Sequence, residues 1–393
     1  MKRTESDSYI IGEGTKRLDV PYNDTESSVT ITCVGDIMLG NNVLSKRELK
    51  IKRVIEEHGP VFPFKKITPN IDGSDILFGN LESVLSARGT PDTTKDVCFR
   101  ADPVVASGLS YAGFDAVSLA NNHILDFGLE ALHETMETLK ENGIRFCGAG
   151  KNAEDAARPL LIRRNNLSIA FLSYCNAGKW VARSNTPGYI PALRRRILSQ
   201  LKSSLNGADI LVVSLHWGIQ DTEYANYEEI KLAHEIIDAG ASLIIGHHPH
   251  VLRGIEQYKH GIIFYSLGNF IYSGFHRREW REGAIGRCKI TRNGVIEVQV
   301  IPTIIDEETC QPIKADGEDH SRILERLNHL SREVSDKQSR YTRDANEKLV
   351  KFKGKNLLGM NKWYLFRYFY RVRWRHLKAL VKYFLQTTVG KSW

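Results

Sequence analysis

The segment Leu243-Ile244-Ile245-Gly246-His247-His248-Pro249-His250 joins an apolar run directly to three closely spaced histidines. A short run of branched aliphatic residues is typical of a strand buried in a sheet. The glycine after the run indicates a turn, so the histidines are expected at one edge of that sheet. Imidazole is the commonest protein ligand for divalent metals. The segment therefore predicts a sheet edge that binds a metal.

Other short apolar runs resemble this one and alternate with helical patterns. The predicted strands are Val29–Val34, Ile76–Phe78, Ala116–Leu119, Ile169–Tyr174, Ile210–Leu215, Leu243–Ile245 and Ile262–Tyr265. Between several of them lie amphipathic stripes that end just before Gly143, Gly207 and Gly240, as expected of helix C-termini. Alternation of strands and helices predicts a layered α/β fold.

Four more of these runs are followed by side chains that can bind metal. In open α/β sheets, ligands bind beyond the carboxyl ends of the strands. The candidate ligands are Asp36 and Glu82, the amides Asn121 and Asn122, and the imidazoles of His216, His247, His248 and His250. Taken singly, the carboxylates and amides fit capping or turn positions, and His216 fits a satisfied core histidine. Together they favour a metal centre, and a mixed N/O set suits Mn, Zn or Fe better than Mg.

Two residues near these strand ends, His247 and Arg253, have less certain expected roles. Strand alternation is expected to point His247 away from His248 and His250, so His247 is the weakest member of the histidine cluster. Arg253 follows the cluster and is a candidate for binding an anionic substrate, with solvation at the surface as an equal alternative.

Composition and charge divide the chain unevenly. It has 393 residues, 42% of them hydrophobic, and a formal net charge of +8. Residues 351–393 contain eleven Lys or Arg and no acidic residue, so the remainder is close to neutral. The six cysteines are scattered, which favours reduced thiols in the core. With no secretory signal or membrane-spanning run evident, a cytoplasmic protein is expected.

The same patterns predict four segments. Residues 1–28 are expected to be a flexible leader and residues 29–305 a metal-binding α/β domain. Residues 306–350 are expected to be a charged helical segment, and residues 351–393 a basic, aromatic, amphipathic helical tail. Such a tail can lie on an acidic membrane surface, pack on the protein itself or, less expectedly, bind nucleic acid. Peripheral association with the inner face of the membrane is the leading expectation among these.

Seven motifs follow one another over about residues 29–275. They are Gly35-Asp36-Ile37-Met38-Leu39-Gly40, Asn80-Leu81-Glu82, Ala120-Asn121-Asn122-His123 with Asp126 and Gly128, Gly148-Ala149-Gly150, His216-Trp217-Gly218, Gly246-His247-His248-Pro249-His250 and Tyr265-Ser266-Leu267-Gly268-Asn269-Phe270. In this order they resemble the CapA family, the capsule-synthesis (poly-γ-glutamate) branch of the metallophosphatase superfamily. The resemblance implies a four-layer α/β/β/α sandwich with a metal site on one rim.

The resemblance also implies residue roles. Asp36, Glu82, Asn122, His216, His248 and His250 correspond to positions that hold one or two divalent ions, and His123 to the general acid. Asp126, three residues further on, is expected to orient His123. In two places the chain departs from the superfamily pattern, because Met38 stands where a histidine is usual and Glu82 replaces a metal-bridging aspartate.

Two functions are consistent with this resemblance. The first is a metal-dependent phosphoester hydrolase linked to capsule or poly-γ-glutamate synthesis, acting on a phosphorylated or anionic polymer. The second is a non-catalytic component of polymer synthesis or export whose metal site is structural. The Asn122-His123 pair favours the first, and Met38 favours the second.

Overall fold

The computed structural model describes residues 14–23, 25–45 and 48–335. All of them belong to one compact unit, Met1–Lys337. The predicted basic tail, residues 351–393, lies outside the described residues, as do half of the predicted leader and the end of the charged segment. Within the described ranges, no helix combines the length and apolar character that a membrane-spanning segment requires.

The strands of the described residues cover every segment for which a strand was predicted. They are β1 (Thr15–Arg17), β2 (Val29–Ile37), β3 (Asn41–Asn42), β4 (Ile76–Leu81), β5 (Val84–Leu85), β6 (Phe99–Ala101), β7 (Ala116–Ser118), β8 (Arg145–Cys147), β9 (Ala149–Gly150), β10 (Leu160–Arg164), β11 (Leu167–Cys175), β12 (Gly188–Tyr189), β13 (Ile210–His216), β14 (Ala241–His247), β15 (Ile255–Tyr258), β16 (Gly261–Phe264), β17 (Asn269–Ile271), β18 (Glu282–Thr291), β19 (Gly294–Ile305) and β20 (Pro312–Lys314).

The strands form two large sheets. The first has the order β1-β19-β18-β2-β4-β7-β8, with β17 also paired to β2 and β20 to β19. The second has the order β10-β11-β13-β14-β16-β15. Strands β2, β4, β7 and β8 run parallel in the first sheet, and β11, β13, β14 and β16 run parallel in the second. The carboxyl ends of each parallel set therefore meet at one edge of its sheet.

The helices that precede residue 317 pack on the outer faces of the two sheets. The helices of the described residues are α1 (Lys50–His58), α2 (Thr68–Ile71), α3 (Ala106–Tyr111), α4 (Gly128–Glu141), α5 (Ala153–Ala157), α6 (Arg194–Ser204), α7 (Tyr227–Asp238) and α8 (Gly317–Ser335). One apolar cluster joins α1, α3 and α4 to the first sheet, and another joins α6 and α7 to the second. A third lies between the sheets, where Phe78 and Phe171 stack with ring centroids 5.0 Å apart. The predicted four-layer α/β/β/α sandwich is confirmed.

Two features of the fold differ from the sequence analysis. The β18–β19 hairpin was not predicted, because its strands alternate apolar with charged residues such as Arg287 and Glu297 instead of forming continuous apolar runs. The leader is not flexible throughout, since Thr15–Arg17 pairs with β19 and Leu18 is buried. A strand this short, with only one large apolar residue beside it, leaves little signal in the sequence.

The body of the domain also extends beyond the predicted boundary at residue 305. Strand β20 pairs with β19, and α8 buries Ile323 and Leu327 in the core between the sheets. The hydroxyl of Ser331 accepts a hydrogen bond of 2.9 Å from the backbone N–H of Ile255. Residues spaced four apart on one face of a helix explain this packing, even though the segment is highly charged overall.

Candidate metal centre

The candidate ligands come from both sheets and meet where the parallel strands end. Asp36 lies near the end of β2 and Glu82 directly follows β4, in the first sheet. His216 ends β13, and His248 directly follows β14, in the second sheet. All four are buried or half-buried. The two sheet edges therefore converge on one polar cluster, which we call the donor cluster.

A close approach of two backbone segments fixes the position of Asp36. Its N–H donates to the carbonyl of Gly268 at 3.0 Å. A Cβ atom added to the preceding Gly35 would lie 2.0 Å from that same carbonyl oxygen, so no larger residue fits there. The glycines of two separate motifs thus bring β2 against the segment that leads into β17.

Short distances connect the members of the donor cluster. Glu82 Oε1 lies 3.4 Å from His216 Nε2 and 3.7 Å from His250 Nε2. Asp36 Oδ2 lies 3.3 Å from His250 Nδ1 and accepts a hydrogen bond of 3.1 Å from the backbone N–H of His248. Asn122 Oδ1 lies 2.7 Å from His216 Nε2. The structure therefore brings together all six predicted ligands.

Two groups of donors in this cluster have the spacing needed to hold an ion. One consists of Glu82, His216 and His248, and the other of Asp36, Glu82 and His250. In each group the ligand atoms lie within 4.8 Å of one another. Glu82 is the one residue that the two groups share.

Several buried donors in the cluster lack a hydrogen-bond partner among the described residues. They are Glu82 Oε1, His248 Nδ1 and both ring nitrogens of His247. An unpaired polar atom in a protein interior costs about 1–3 kcal/mol, so native folds rarely leave one without a purpose. Carboxylate and imidazole donors without partners match the preferences of Mn, Zn or Fe. The residues present therefore fit a divalent metal, as the sequence analysis expected.

The charges in the cluster act strongly on one another. Burial, followed by repulsion from Asp36, raises the pKa of Glu82 well above its usual range. Burial alone would also raise the pKa of Asp36, but the imidazoles of His247 and His250 hold it well below its usual range. Burial lowers the pKa of His216, and it lowers the pKa of His248 to about 3. The imidazoles of His216 and His248 are therefore kept neutral, the form that binds metal.

His123 lies beside the cluster and is held by its neighbour Asp126. Its Nδ1 lies 2.7 Å from Asp126 Oδ2, and its Nε2 lies 4.0 Å from Glu82 Oε1. Burial, followed by the charge of Lys95, lowers the pKa of His123 to about 4. The side chain thus directs one ring nitrogen towards Asp126 and the other towards the donor cluster.

Sequence reasoning missed three contributors to this region. His247 is not directed away from the cluster, because its Nδ1 lies 3.3 Å from Asp36 Oδ1. Asn80 Nδ2 donates to Asp36 Oδ1 at 2.8 Å, and Asn269 Oδ1 lies 2.9 Å from His250 Nδ1. The motifs that contain Asn80 and Asn269 were the signal that could have identified them.

Positive φ angles explain why strand alternation failed for His247. His248 has a φ of 97° and His250 a φ of 58°, so the chain leaves the extended conformation immediately after β14. Alternation holds only while the backbone is extended. The turn directs His248 and His250 to the same cluster that His247 reaches from the end of the strand.

Arg253 does not face the donor cluster as a substrate-binding residue. It is 1% exposed, and its Nη1 donates to Glu229 Oε2 at 3.1 Å. Its Nε donates to the carbonyl of Thr222 at 2.7 Å, and its Nη2 to that of Ile219 at 3.2 Å. Glu229 also caps the N-terminus of α7 through the backbone N–H of Asn226. Arg253 therefore fixes the loop after β13 to α7, which corrects the prediction.

Met38 does not occupy a ligand position either. Its side chain is 2% exposed and packs in an apolar cluster with Phe99, Val251, Tyr272 and Trp280. This aromatic group borders the donor cluster, since the rings of Trp280 and His250 have centroids 5.2 Å apart. Met38 therefore contributes an apolar wall where the superfamily pattern has a histidine.

Comparison with known proteins gives a consistent set of similarities. Residues 30–273 match the sequence model of the family described as "Bacterial capsule synthesis protein PGA_cap". The capsule biosynthesis protein CapA of Bacillus anthracis is 30% identical over 317 residues, 78% of this chain and 74% of that protein. The PGA biosynthesis protein CapA of Bacillus subtilis (strain 168) is 31% identical over 335 residues, 84% of this chain and 85% of that protein.

One solved structure also aligns with this chain. The calcineurin-like phosphoesterase YfkN from Bacillus subtilis aligns with 79% of this chain and 100% of that chain, with a TM-score of 0.40 and 14% sequence identity.

Proposed function

The chain belongs to the PGA_cap family of bacterial capsule synthesis proteins, and from this premise we propose that its donor cluster hydrolyses phosphoester bonds during synthesis of a capsule or poly-γ-glutamate polymer. The observation that carries the proposal is the shared carboxylate Glu82, whose buried Oε1 has no hydrogen-bond partner among the described residues and belongs to two groups of metal donors. The substrate is a phosphorylated or anionic polymer.

The residues that would hold the ions are those that the geometry brings together. Glu82, His216 and His248, together with Asn122, form one position, and Asp36, Glu82 and His250 form the other. Divalent cations bound there would lower the pKa of a water molecule and neutralise charge on the phosphoryl oxygens. The ion is Mn, Zn or Fe, and the donor groups accommodate one or two of them.

His123 supplies the proton that the leaving group needs. Because Asp126 accepts a hydrogen bond from Nδ1, the proton that His123 releases is the one that Nε2 carries in the doubly protonated ring, and Nε2 faces the donor cluster. The pKa of His123 is lowered to about 4, so this acid form predominates only below that pH. The bond from phosphorus to the water oxygen forms as the bond to the alcohol oxygen breaks. That alcohol oxygen takes the proton from Nε2, and the proton of the water passes to solvent. A general acid of this kind accelerates such a reaction by roughly 10²–10⁴-fold.

The test is a panel of phosphomonoesters and phosphodiesters with Mn²⁺-loaded protein. His123→Ala is expected to lower turnover by at least about 10²-fold while the amount of bound metal stays at the wild-type value. His133→Ala is a matched control, because His133 lies on α4 and is in neither donor group. Unchanged turnover in His123→Ala would exclude the acid role. A wild-type protein that binds metal but hydrolyses no ester would instead favour the non-catalytic component of polymer synthesis.

A further inference from the structure

Lys95 places a partly buried cation against the residues that hold His123. It lies in the loop between β5 and β6, and its side chain is only 18% exposed. Its Nζ pairs with Asp126 Oδ1 and donates to the carbonyl of Asn122 at 2.8 Å. The same atom lies 3.4 Å from His123 Nδ1. No pattern in the sequence singles out this residue.

The side-chain contacts of Asp126 hold it between Lys95, Phe99 and His123. The carboxylate is fully buried, and its Oδ2 accepts hydrogen bonds of 2.7 Å from both the backbone N–H of Phe99 and His123 Nδ1. Its Oδ1 is held by Lys95. A buried carboxylate that loses its cation is left with an uncompensated charge, which is strongly unfavourable. Without Lys95, the side chain of Asp126 would keep only the N–H of Phe99 and Nδ1 of His123 as partners among the described residues.

The contact with Asn122 adds a second constraint. Lys95 holds the main-chain carbonyl of Asn122, whose side-chain Oδ1 lies 2.7 Å from His216 Nε2. One ammonium group thus connects the acid-bearing histidine to a residue of the donor cluster. Positions that must be held to within about 0.5 Å depend on such supporting contacts.

We propose that Lys95 is a positioning residue, which holds Asp126 and the Asn122 backbone so that His123 Nε2 remains directed at the donor cluster. This inference rests on the proposed hydrolytic function. Lys95 acts through these residues and not on the substrate, because two of its three N–H groups are taken by Asp126 and Asn122 and little of its side chain reaches solvent.

A leaving-group comparison reveals this role. 4-Nitrophenol leaves readily without a proton, whereas phenol depends on the general acid. If Lys95 positions His123, its removal slows phenyl phosphate hydrolysis more than 4-nitrophenyl phosphate hydrolysis. A residue that only supports the fold, or that only binds the substrate, would affect both esters alike.

The first experiment measures kcat and KM for both esters with Mn²⁺-loaded protein. Lys95→Met is expected to lower kcat for phenyl phosphate by about 10–100-fold and for 4-nitrophenyl phosphate by less than about 3-fold, with KM unchanged. His123→Ala should show the same imbalance, and Lys95→Arg should recover much of the loss. Lys179→Met is the matched control, since Lys179 pairs with Asp92 on the same loop at 2.9 Å. Equal slowing of both esters would overturn the proposal.

The second experiment does not depend on turnover. In metal-free protein labelled with ¹⁵N-histidine, the Nδ1 proton of His123 that is shared with Asp126 should give a low-field resonance, assigned by its loss in His123→Gln. Lys95→Met is expected to shift or broaden it, whereas Lys95→Arg and Lys179→Met leave it in place. An unaltered resonance in Lys95→Met rejects the positioning role. If the wild type hydrolyses neither ester, the proposed function fails, and this resonance still decides the role of Lys95.

Discussion

Two buried glutamates, Glu82 and Glu256, differ in how fully their carboxylate oxygens are hydrogen-bonded. Glu256 is 2% exposed, and both its oxygens lie 2.9 Å from His234 Nε2, while Oε2 also accepts a hydrogen bond of 2.8 Å from Tyr265. Glu82 is fully buried, yet its Oε1 has no hydrogen-bond partner among the described residues. Its Oε2 receives a single long contact of 3.5 Å from Asn80.

This difference distinguishes a carboxylate that stabilises the fold from one that remains available to a ligand. A buried carboxylate that is satisfied by neighbouring side chains holds elements together, and Glu256 does this between β15, α7 and Tyr265. A buried carboxylate left unsatisfied destabilises the fold unless a ligand completes it. Both glutamates lie beside histidines, so proximity to imidazole alone does not identify a metal site. What distinguishes Glu82 is an unsatisfied oxygen in a group of ligand atoms that lie within 4.8 Å of one another.

The largest effect is expected from Glu82→Gln, which removes the shared charge. At a free Mn²⁺ concentration of 100 times the Kd, the wild type should gain about 2.7 kcal/mol in free energy of unfolding. The variant should lose most of this gain because both donor groups contain Glu82. Thermal unfolding with and without Mn²⁺ measures it. An equal gain in the variant would show that Glu82 resembles Glu256 and holds no ion.

A somewhat smaller effect is expected from Glu256→Gln, and this effect should not depend on metal. Replacing the carboxylate weakens hydrogen bonds from His234 and Tyr265, which should lower the free energy of unfolding by about 2 kcal/mol with or without metal. Urea unfolding of metal-free protein measures the loss, and elemental analysis checks that bound metal is unchanged. Loss of metal from this variant would erase the distinction between the two glutamates.

The smallest effect is expected from His234→Phe. The phenyl ring keeps the stacking on Tyr258, which has ring centroids 3.9 Å apart, but it cannot donate to Glu256. Because the His234 side chain is 27% exposed, water can partly replace the lost donor. The free energy of unfolding should therefore fall by only about 1 kcal/mol. Urea unfolding compared with His216→Phe completes the test, since only His216→Phe should lower bound metal. Metal loss from both variants would contradict it.

The regular parts of this arrangement were predictable from the sequence. Continuous apolar runs mark β2, β4, β13 and β14, and the polar residues that follow them reach one edge because parallel strands share a direction. The apolar runs marked the polar residues at this edge, and the family resemblance selected the six candidate ligands from among them. The order of the motifs, through the family resemblance, predicted that two sheets form a sandwich.

The irregular parts were not predictable in the same way. Lys95 lies in a loop without periodicity, and its partner Asp126 is 31 residues away. Arg253 follows the histidine cluster, yet its partner Glu229 belongs to the N-terminus of α7, 24 residues earlier. His247 depends on backbone angles in the turn after β14. The position of each of these side chains depends on a contact or a backbone torsion that the local sequence pattern does not predict.

The hydrogen bond from His248 to Asp36 joins residues 212 positions apart and links the two sheets. Contacts so distant along the chain form late in folding, because the entropy of closing the intervening loop must be overcome first. Neither donor group contains ligands from one sheet only, so an incompletely docked chain offers no position where an ion is fully coordinated. An ion that bound to these groups would therefore do so only after the two sheets had docked.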